Sequence, residues 1–448
     1  VTADPELHAV LVRGLGLFVP LLALVALGVW RPPSRSETAA MIVAGAWALL
    51  TLIPLNLVAL RVGWWTFHTD GAVWLGMPMD LIVAWVILWG PLPALLLRLL
   101  PVPLLTALLV WADILLMPLA EPVVDLSRLW LVGEFAGAAV CLIPALLLAY
   151  WTREGQLVHA RVWAQAALAF GLMVVLPLLV LGVVPSGPTV FAGAQAVALA
   201  GLPGLAAARE FARVGAGTPL PYDPPVRLVT SGPYAYVRNP MQTSMTAVYL
   251  VLAALLREPA LLLLGLSALV YGAGFADWHE SGQLRAAFGR RWTDYSSGVR
   301  AWLPRWRPWP GRTPGVLYVA ADCAMCRGLG AWIAARSPVA LDLRPAAEHP
   351  EILYRVTYET PDGARWSGAS AVARALEHLH LGWALAGWAL DLPGPRHFAQ
   401  LCADAFGSGP RPSRAPRAEG KEAGVAEAGA AEAEAAGTGT AAGTADRV

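Results

Sequence analysis

Seven stretches of about twenty mostly apolar residues follow one another along the first half of the chain, near 10–30, 39–60, 72–90, 99–120, 129–151, 160–184 and 189–208. A helix of that length crosses the ~30 Å hydrocarbon layer of a bilayer, where each backbone polar group must find its partner within the chain. Two shorter apolar runs, 241–256 and 259–277, meet at Arg257-Glu258-Pro259, a turn so tight that they form an antiparallel helical hairpin. The expectation is a membrane bundle of about nine spans. Composition agrees: 57% of the residues are hydrophobic and 14% charged, which excludes a wholly soluble chain. The first span is too long, and too uncharged at its start, to read as a cleaved signal peptide.

Charge placement gives an orientation. Arg31, Arg35, Arg98, Arg153, Arg161, Arg209, Arg213, Arg227 and Arg238 fall in alternate connections, whereas Arg61, Arg128 and Arg257 fall singly in the others. By the positive-inside rule the N-terminus lies outside and everything after about residue 280 is cytoplasmic. A net charge of +1 gives no field for nucleic acid. Lys421 is the sole lysine, so arginine abundance reflects coding bias rather than function. Four cysteines in 448 residues exclude a disulfide-stapled scaffold. Asp80, Asp113 and Glu134 lie inside apolar windows, where a carboxylate is either a functional group or bonded to neighbours within the bundle. The stretch 63–81 reads as an outer-face loop with Trp64, Trp65 and Trp74 at the interface.

Between the seventh and eighth spans the chain turns polar and proline-rich, GAGTPLPYDPPVRLVTSGPYAYVRNPM at 215–241. Pro219, Pro221, Pro224 and Pro225 forbid a regular helix. Ser231-Gly232-Pro233-Tyr234 reads as a tight turn. Tyr236, Arg238 and Asn239 then arrive at the mouth of the next span, with Pro240 at its entry. Asp277, His279 and Glu280 leave the far end of the hairpin and enter an arginine-rich amphipathic helix over 277–295. An antiparallel hairpin returns both ends to one face, so Arg238 and Glu280 become neighbours suited to a ligand carrying carboxylate, ammonium and ribose hydroxyls.

The pattern LVTSGPYAYVRNPM, a helical hairpin, then Glu280, Leu284, Phe288-Gly289, Tyr295 and WLP at 302–304 resembles the isoprenylcysteine carboxyl methyltransferase-like family, itself related to the phospholipid methyltransferases. Including the preceding spans, the resemblance covers about 160–307. It implies an integral-membrane methyltransferase that uses S-adenosylmethionine on the cytosolic side and takes its acceptor from the lipid phase. Arg238 and Glu280 carry over as cofactor-binding residues, with Tyr234, Tyr236, Asn239 and His279 as pocket walls. Asn239 stands where the family often has His, and Gln242 and Ser244 where Tyr and Gly are usual. Ser281 replaces a second Glu, and Trp292 a Tyr.

Residues 308–314 belong to a Pro/Arg/Trp tether, after which the composition becomes that of a soluble domain. GVLYVA (315–320) reads as a buried strand, and Cys323 and Cys326 then open a helix. VALDL (339–343) is a second strand, 352–368 a strand–turn–strand, and helices follow at about 369–380 and 396–406. A helix N-terminus favours a thiolate, and the two-residue spacing lets the second sulfur resolve a mixed disulfide. VLY at 316–318, the Cys323/Cys326 pair and DGARWSGASAV at 362–372 resemble the DCC-type thiol–disulfide oxidoreductases, a thioredoxin-like family, over 315–407. That resemblance implies a redox pair served by a thiol reductant. Structural thiols remain the second reading, and a zinc site with His349, His378 or His380 the third. Cys141 and Cys402 read as small core residues. From 408 onward the Ala/Gly/Glu tail lacks the large apolar side chains needed to fold.

The expected chain is therefore mainly α: a polytopic bundle with an N-terminal part of unassigned role (1–157), a methyltransferase-like core (158–307), a thioredoxin-like α/β cytosolic domain (315–407) and a disordered tail (408–448). A membrane-tethered oxidoreductase, with the methyltransferase fold as anchor only, is the alternative. Transport through a bundle lined by the three carboxylates is a third reading, and no internal repeat favours it.

Overall fold

The computed structural model describes residues 5–412 except 69–70, 122, 184–186, 221, 223–225 and 272–276; the tail from 413 lies outside the described residues. The chain is 67% helical and divides into two units, Val1–Arg305 and Trp306–Val448.

Seven helical segments of the first unit are long and apolar enough to cross a membrane: Leu7–Trp30, Arg35–Val62, Met79–Leu96, Val102–Ala120, Trp130–Arg153, Val158–Val180 and Val190–Gly215. The hairpin helices Pro240–Leu256 and Pro259–Tyr271 have 17 and 13 residues. At 1.5 Å per residue both fall short of a full crossing. Their turn is closed by Arg257, whose φ of 55° lets its N–H reach the Ala253 carbonyl. Arg35–Val62 starts from a capping box, in which Ser34 bonds the Glu37 N–H and the Glu37 carboxylate returns to the Ser34 N–H. Ala40, Ala44 and Ala48 repeat every fourth residue on that helix and pack with Cys141, Ala145 and Ala149. Small side chains on both partners let the backbones approach, which is how helices associate where lipid removes the hydrophobic driving force. Large apolar residues of the first span, Leu7, Leu11, Leu15, Leu22 and Val29 among them, point outward.

Local readings change at three places. The 63–81 loop carries a strand, Trp65–Phe67, paired antiparallel with Val124–Leu126, and a Val73–Trp74/Met77–Pro78 ribbon. Trp65 is core rather than interfacial: it is 4% exposed, and its indole N–H donates to Asn56 Oδ1 at 3.0 Å. The single helix expected over 277–295 is two, Asp277–Phe288 and Arg290–Gly298, broken at Gly289, where φ is 53°. Asp80 is neutralised by Arg13 Nε at 2.6 Å, a bridge between the first and third spans. Asp113 and Glu134 are both buried within the bundle, and Glu134 Oε1 has no hydrogen-bond partner among the described residues.

The second unit is built on a four-stranded mixed sheet. Gly315–Val319 pairs in parallel with Leu341–Pro345 and antiparallel with Thr357–Glu359, which pairs antiparallel with Arg365–Ser367. The Ala324–Ala334 helix forms the crossover that the parallel pair requires. Leu317, Ile333, Tyr358, Ala371, Ala375 and Leu379 form the core. The helix expected over 369–380 stops at Leu376, and a further helix, Leu381–Leu390, follows before Pro393–Ala403. Gly387 packs on the Ala373 backbone, a tertiary contact that overrides the low helix propensity of a glycine-containing run.

Candidate functional site

The sequence motif becomes a clamped turn. Ser231 leads into a short 3-10 turn, Gly232–Ala235, with φ of 57° at Gly232, a left-handed conformation that glycine alone adopts without strain. Tyr234 and Val237 are buried, and Tyr236 is 0% exposed. Tyr236 is therefore packed inside the protein, which differs from its reading as a residue lining an open pocket. Tyr295 Oη donates to the Tyr234 carbonyl at 2.9 Å, and burial pushes that phenol well above its ordinary range, which keeps it a donor. The Arg305 N–H donates to the Tyr236 carbonyl at 2.9 Å. The Arg238 N–H donates to the Arg300 carbonyl at 2.9 Å, and the Asn239 N–H to the Ala301 carbonyl at 3.1 Å. Segment 292–305 thus holds the backbone of 234–239 at four points.

Arg238 is fixed at its far end too. Its guanidinium lies over the Trp292 ring, 5.6 Å from the centroid, and Nη1 points at the Ser296 carbonyl at 3.4 Å. Tryptophan is the strongest ring partner for a cation, so the Tyr-to-Trp departure at 292 serves the arginine's orientation. Asn239 is the residue before the Pro240–Leu256 helix. Thr243 follows one turn later, and its hydroxyl is buried with no partner among the described residues. His279 and Glu280 fall in the Asp277–Phe288 helix, and their side chains lie outside what is described. Tyr234, Tyr236, Arg238 and Asn239 therefore share one clamped segment, and their cofactor-binding roles, like the Arg238–Glu280 pairing, stay expectations.

A residue not singled out from the sequence completes the turn. Glu210 ends the Pro188–Glu210 helix and is 2% exposed. Ser231 Oγ donates to its Oε1, and a Cβ on Gly232 would meet the Glu210 side chain at 3.3 Å. Phe211, next in the chain, packs on Tyr234 with the rings tilted by 35° and centroids 5.2 Å apart. Helix end and turn are thus fitted to each other, glycine against carboxylate and phenyl against phenol. The available signal was a lone acidic residue closing an apolar helix, twenty-one residues before the serine it binds. Ser244 is likewise explained: its hydroxyl bonds the Ala200 carbonyl, and Gly204 leaves room for it, so it serves contact between helices.

Residues 190–291 match the phospholipid methyltransferase family model. The match falls inside the 160–307 resemblance and spans the Glu210 helix end, the clamped turn and the helical hairpin, ending just before the 292–305 clamp. No curated protein and no solved structure matches the chain.

In the second unit Cys323 is the N-cap of the Ala324–Ala334 helix and accepts the Cys326 N–H at 3.3 Å. The Cys326 thiol donates to Cys323 Sγ at 2.7 Å. Partial burial pushes the Cys323 thiol up, but the Cys326 thiol, the Cys326 and Met325 N–H groups and the Arg411 guanidinium outweigh it and hold it below the ordinary range. Burial, the hydrogen bond to Cys323 and its charge push Cys326 up to about 12. The two neighbouring sulfurs, both half-buried, are thus held on opposite sides of the ordinary thiol range. The histidines weighed as zinc ligands are engaged elsewhere: His378 bonds Tyr358 Oη and the Val339 carbonyl, and His349 pairs with Glu359. His380 stacks on Trp306. Cys141 is fully buried, as read, and Cys402 is half-buried.

Proposed function

We propose that the chain is an integral-membrane methyltransferase that draws its methyl group from S-adenosylmethionine and passes it to a lipid-soluble acceptor. The observation that carries this reading is the clamped turn, which holds Arg238 and Asn239 at the mouth of the Pro240–Leu256 helix within the segment similar to phospholipid methyltransferases. The donor set fits the cofactor: the Arg238 guanidinium suits its carboxylate, and the orphaned Thr243 hydroxyl suits a ribose hydroxyl. Glu280 is assigned the ammonium or ribose. When bound, the cofactor supplies a methyl sulfonium electrophile. The chain's part is to orient that methyl group towards the acceptor and exclude water, which needs rigid placement more than a general base. Segment 292–305 and Glu210 supply the rigidity. The N-terminus outside, and the site and second unit in the cytoplasm, complete the topology.

The second unit is read as an accessory thiol–disulfide domain, thioredoxin-like, reduced by an external thiol. The observation favouring it is the asymmetry of Cys323 and Cys326, one sulfur held low and the other high. An oxidoreductase anchored by an inactive methyltransferase fold is the competing account. S-adenosylmethionine titrated into the detergent-solubilised full chain decides between them. Saturable binding weakened by both Arg238→Ala and Glu280→Ala supports methyl transfer. Its absence in folded protein leaves Cys323 as the working site.

A further inference from the structure

Gln165 sits in the Val158–Phe170 helix, and both ends of its side-chain amide, Oε1 and Nε2, are buried with no hydrogen-bond partner among the described residues. Its surroundings follow from its neighbours on the helix. Val162 packs with Ala208, Ala212 and Met241 of the methyltransferase-like helices. Leu168 packs with Val43 and Leu148 of the N-terminal bundle, with Leu50 and Trp47 beside it. At 100° per residue these two side chains stand about 60° to either side of Gln165, which places Gln165 on the helix face between the two sets of contacts. Met241 is two residues beyond Asn239, and Gln165 is three beyond Val162, so the Gln165 backbone lies about 4.5 Å along its helix from the residue that meets the first turn of the motif's helix.

An amide orphaned at both ends in an apolar seam is costly. Apolar residues would fill that seam at lower cost, and Arg161, one turn earlier, shows the contrast: its Nε is satisfied by the Gln156 carbonyl at 2.7 Å. We infer that Gln165 is the anchor for the acceptor in the methyl-transfer site, an inference that rests on the methyltransferase reading, and that it binds an uncharged hydroxyl on an apolar molecule. The amide needs a partner that accepts from Nε2 and donates to Oε1. A hydroxyl does both, a carboxylate only accepts, and an ammonium only donates. The group that Gln165 holds is therefore neutral, of the kind carried by a long-chain phenol or alcohol.

The test uses the full chain in nanodiscs, with 4-dodecylphenol as probe and dodecylbenzene, dodecanoate and dodecylammonium as controls, read as thermal shifts. The wild-type protein is expected to be stabilised by the phenol and by none of the controls. Gln165→Leu, which keeps the bulk and removes both orphans, is expected to melt at or above the wild-type temperature without probe, and to bind the phenol about tenfold more weakly or worse. A lower ligand-free melting temperature for Gln165→Leu would show that the amide makes a structural bond and would overturn the assignment. So would a phenol shift that persists in Gln165→Leu, equal shifts with dodecylbenzene or a charged control, or no phenol shift in the wild type. S-adenosylmethionine binding is measured on the same samples. If it is absent while the Gln165-dependent phenol shift is present, the methyltransferase reading fails and the hydroxyl site stands.

Discussion

Replacing Ser231 with alanine removes one hydroxyl and leaves the backbone free to keep its course. In the native protein that hydroxyl donates to Glu210, a carboxylate 2% exposed. A hydrogen bond to a charged group contributes about 1.5–3 kcal/mol, and a buried carboxylate deprived of a donor feels most of that loss. The turn it secures carries Arg238, whose position also depends on Trp292 and the 300–305 segment. If binding requires the turn in its native place, the loss enters the S-adenosylmethionine dissociation constant, weakening it by roughly 10- to 150-fold. Isothermal titration of the full chain in mild detergent measures this directly. Ser231→Thr, which retains the hydroxyl, should restore binding to within a few-fold. A Ser231→Ala protein that binds as tightly as wild type would mean that the turn is held without its link to Glu210.

Gly232→Ala should cost about 1–2 kcal/mol for an alanine at a φ of 57°, with crowding against Glu210 added, and a denaturant titration of the first unit reads it; a loss near zero would mean that the turn relaxes. Asp80→Leu should destabilise the bundle by about 2–3 kcal/mol by removing the carboxylate that meets Arg13 at 2.6 Å among apolar helices. The double variant Arg13→Leu/Asp80→Leu should recover part of that loss in the same titration. Cys323 should be alkylated by iodoacetamide with a half-point below the ~8.5 of a free thiol. The thiolate form is the reactive one, so the rate is full above that half-point and falls as pH drops through it. Cys326→Ala and Arg411→Ala each remove a group that favours the thiolate and should move the half-point upward, as mass spectrometry across a pH series would reveal.

Most of the membrane architecture was legible because about twenty apolar residues between polar connections leave a chain little choice. The motif from Ser231 to Pro240 was legible as a turn feeding a helix, since Gly232, Pro233 and Pro240 each restrict the backbone in a way that spacing alone exposes. Its fastening was not. The bonds from Tyr295 to Tyr234 and from Arg305 to Tyr236 join residues separated by about sixty to seventy positions, and neither periodicity nor local propensity encodes such pairings. Glu210 escaped for the same reason, being one acidic residue at a helix end until Ser231 folds against it. Trp65 was misplaced because a tryptophan near a span end resembles an interfacial anchor until its indole is seen to meet Asn56. Strand, cysteine pair and helix in the second unit are adjacent in sequence, so their order could be read directly. The extra helix Leu381–Leu390 could not, because packing on the core decides it.

Methyl transfer itself is followed with tritium from methyl-labelled S-adenosylmethionine. Purified full chain in liposomes made from a bacterial lipid extract should move label into the solvent-extractable fraction. Arg238→Ala should abolish that transfer, and Cys323→Ser should leave it unchanged. Transfer that persists without Arg238, or folded protein that neither binds nor consumes the cofactor, would contradict the account.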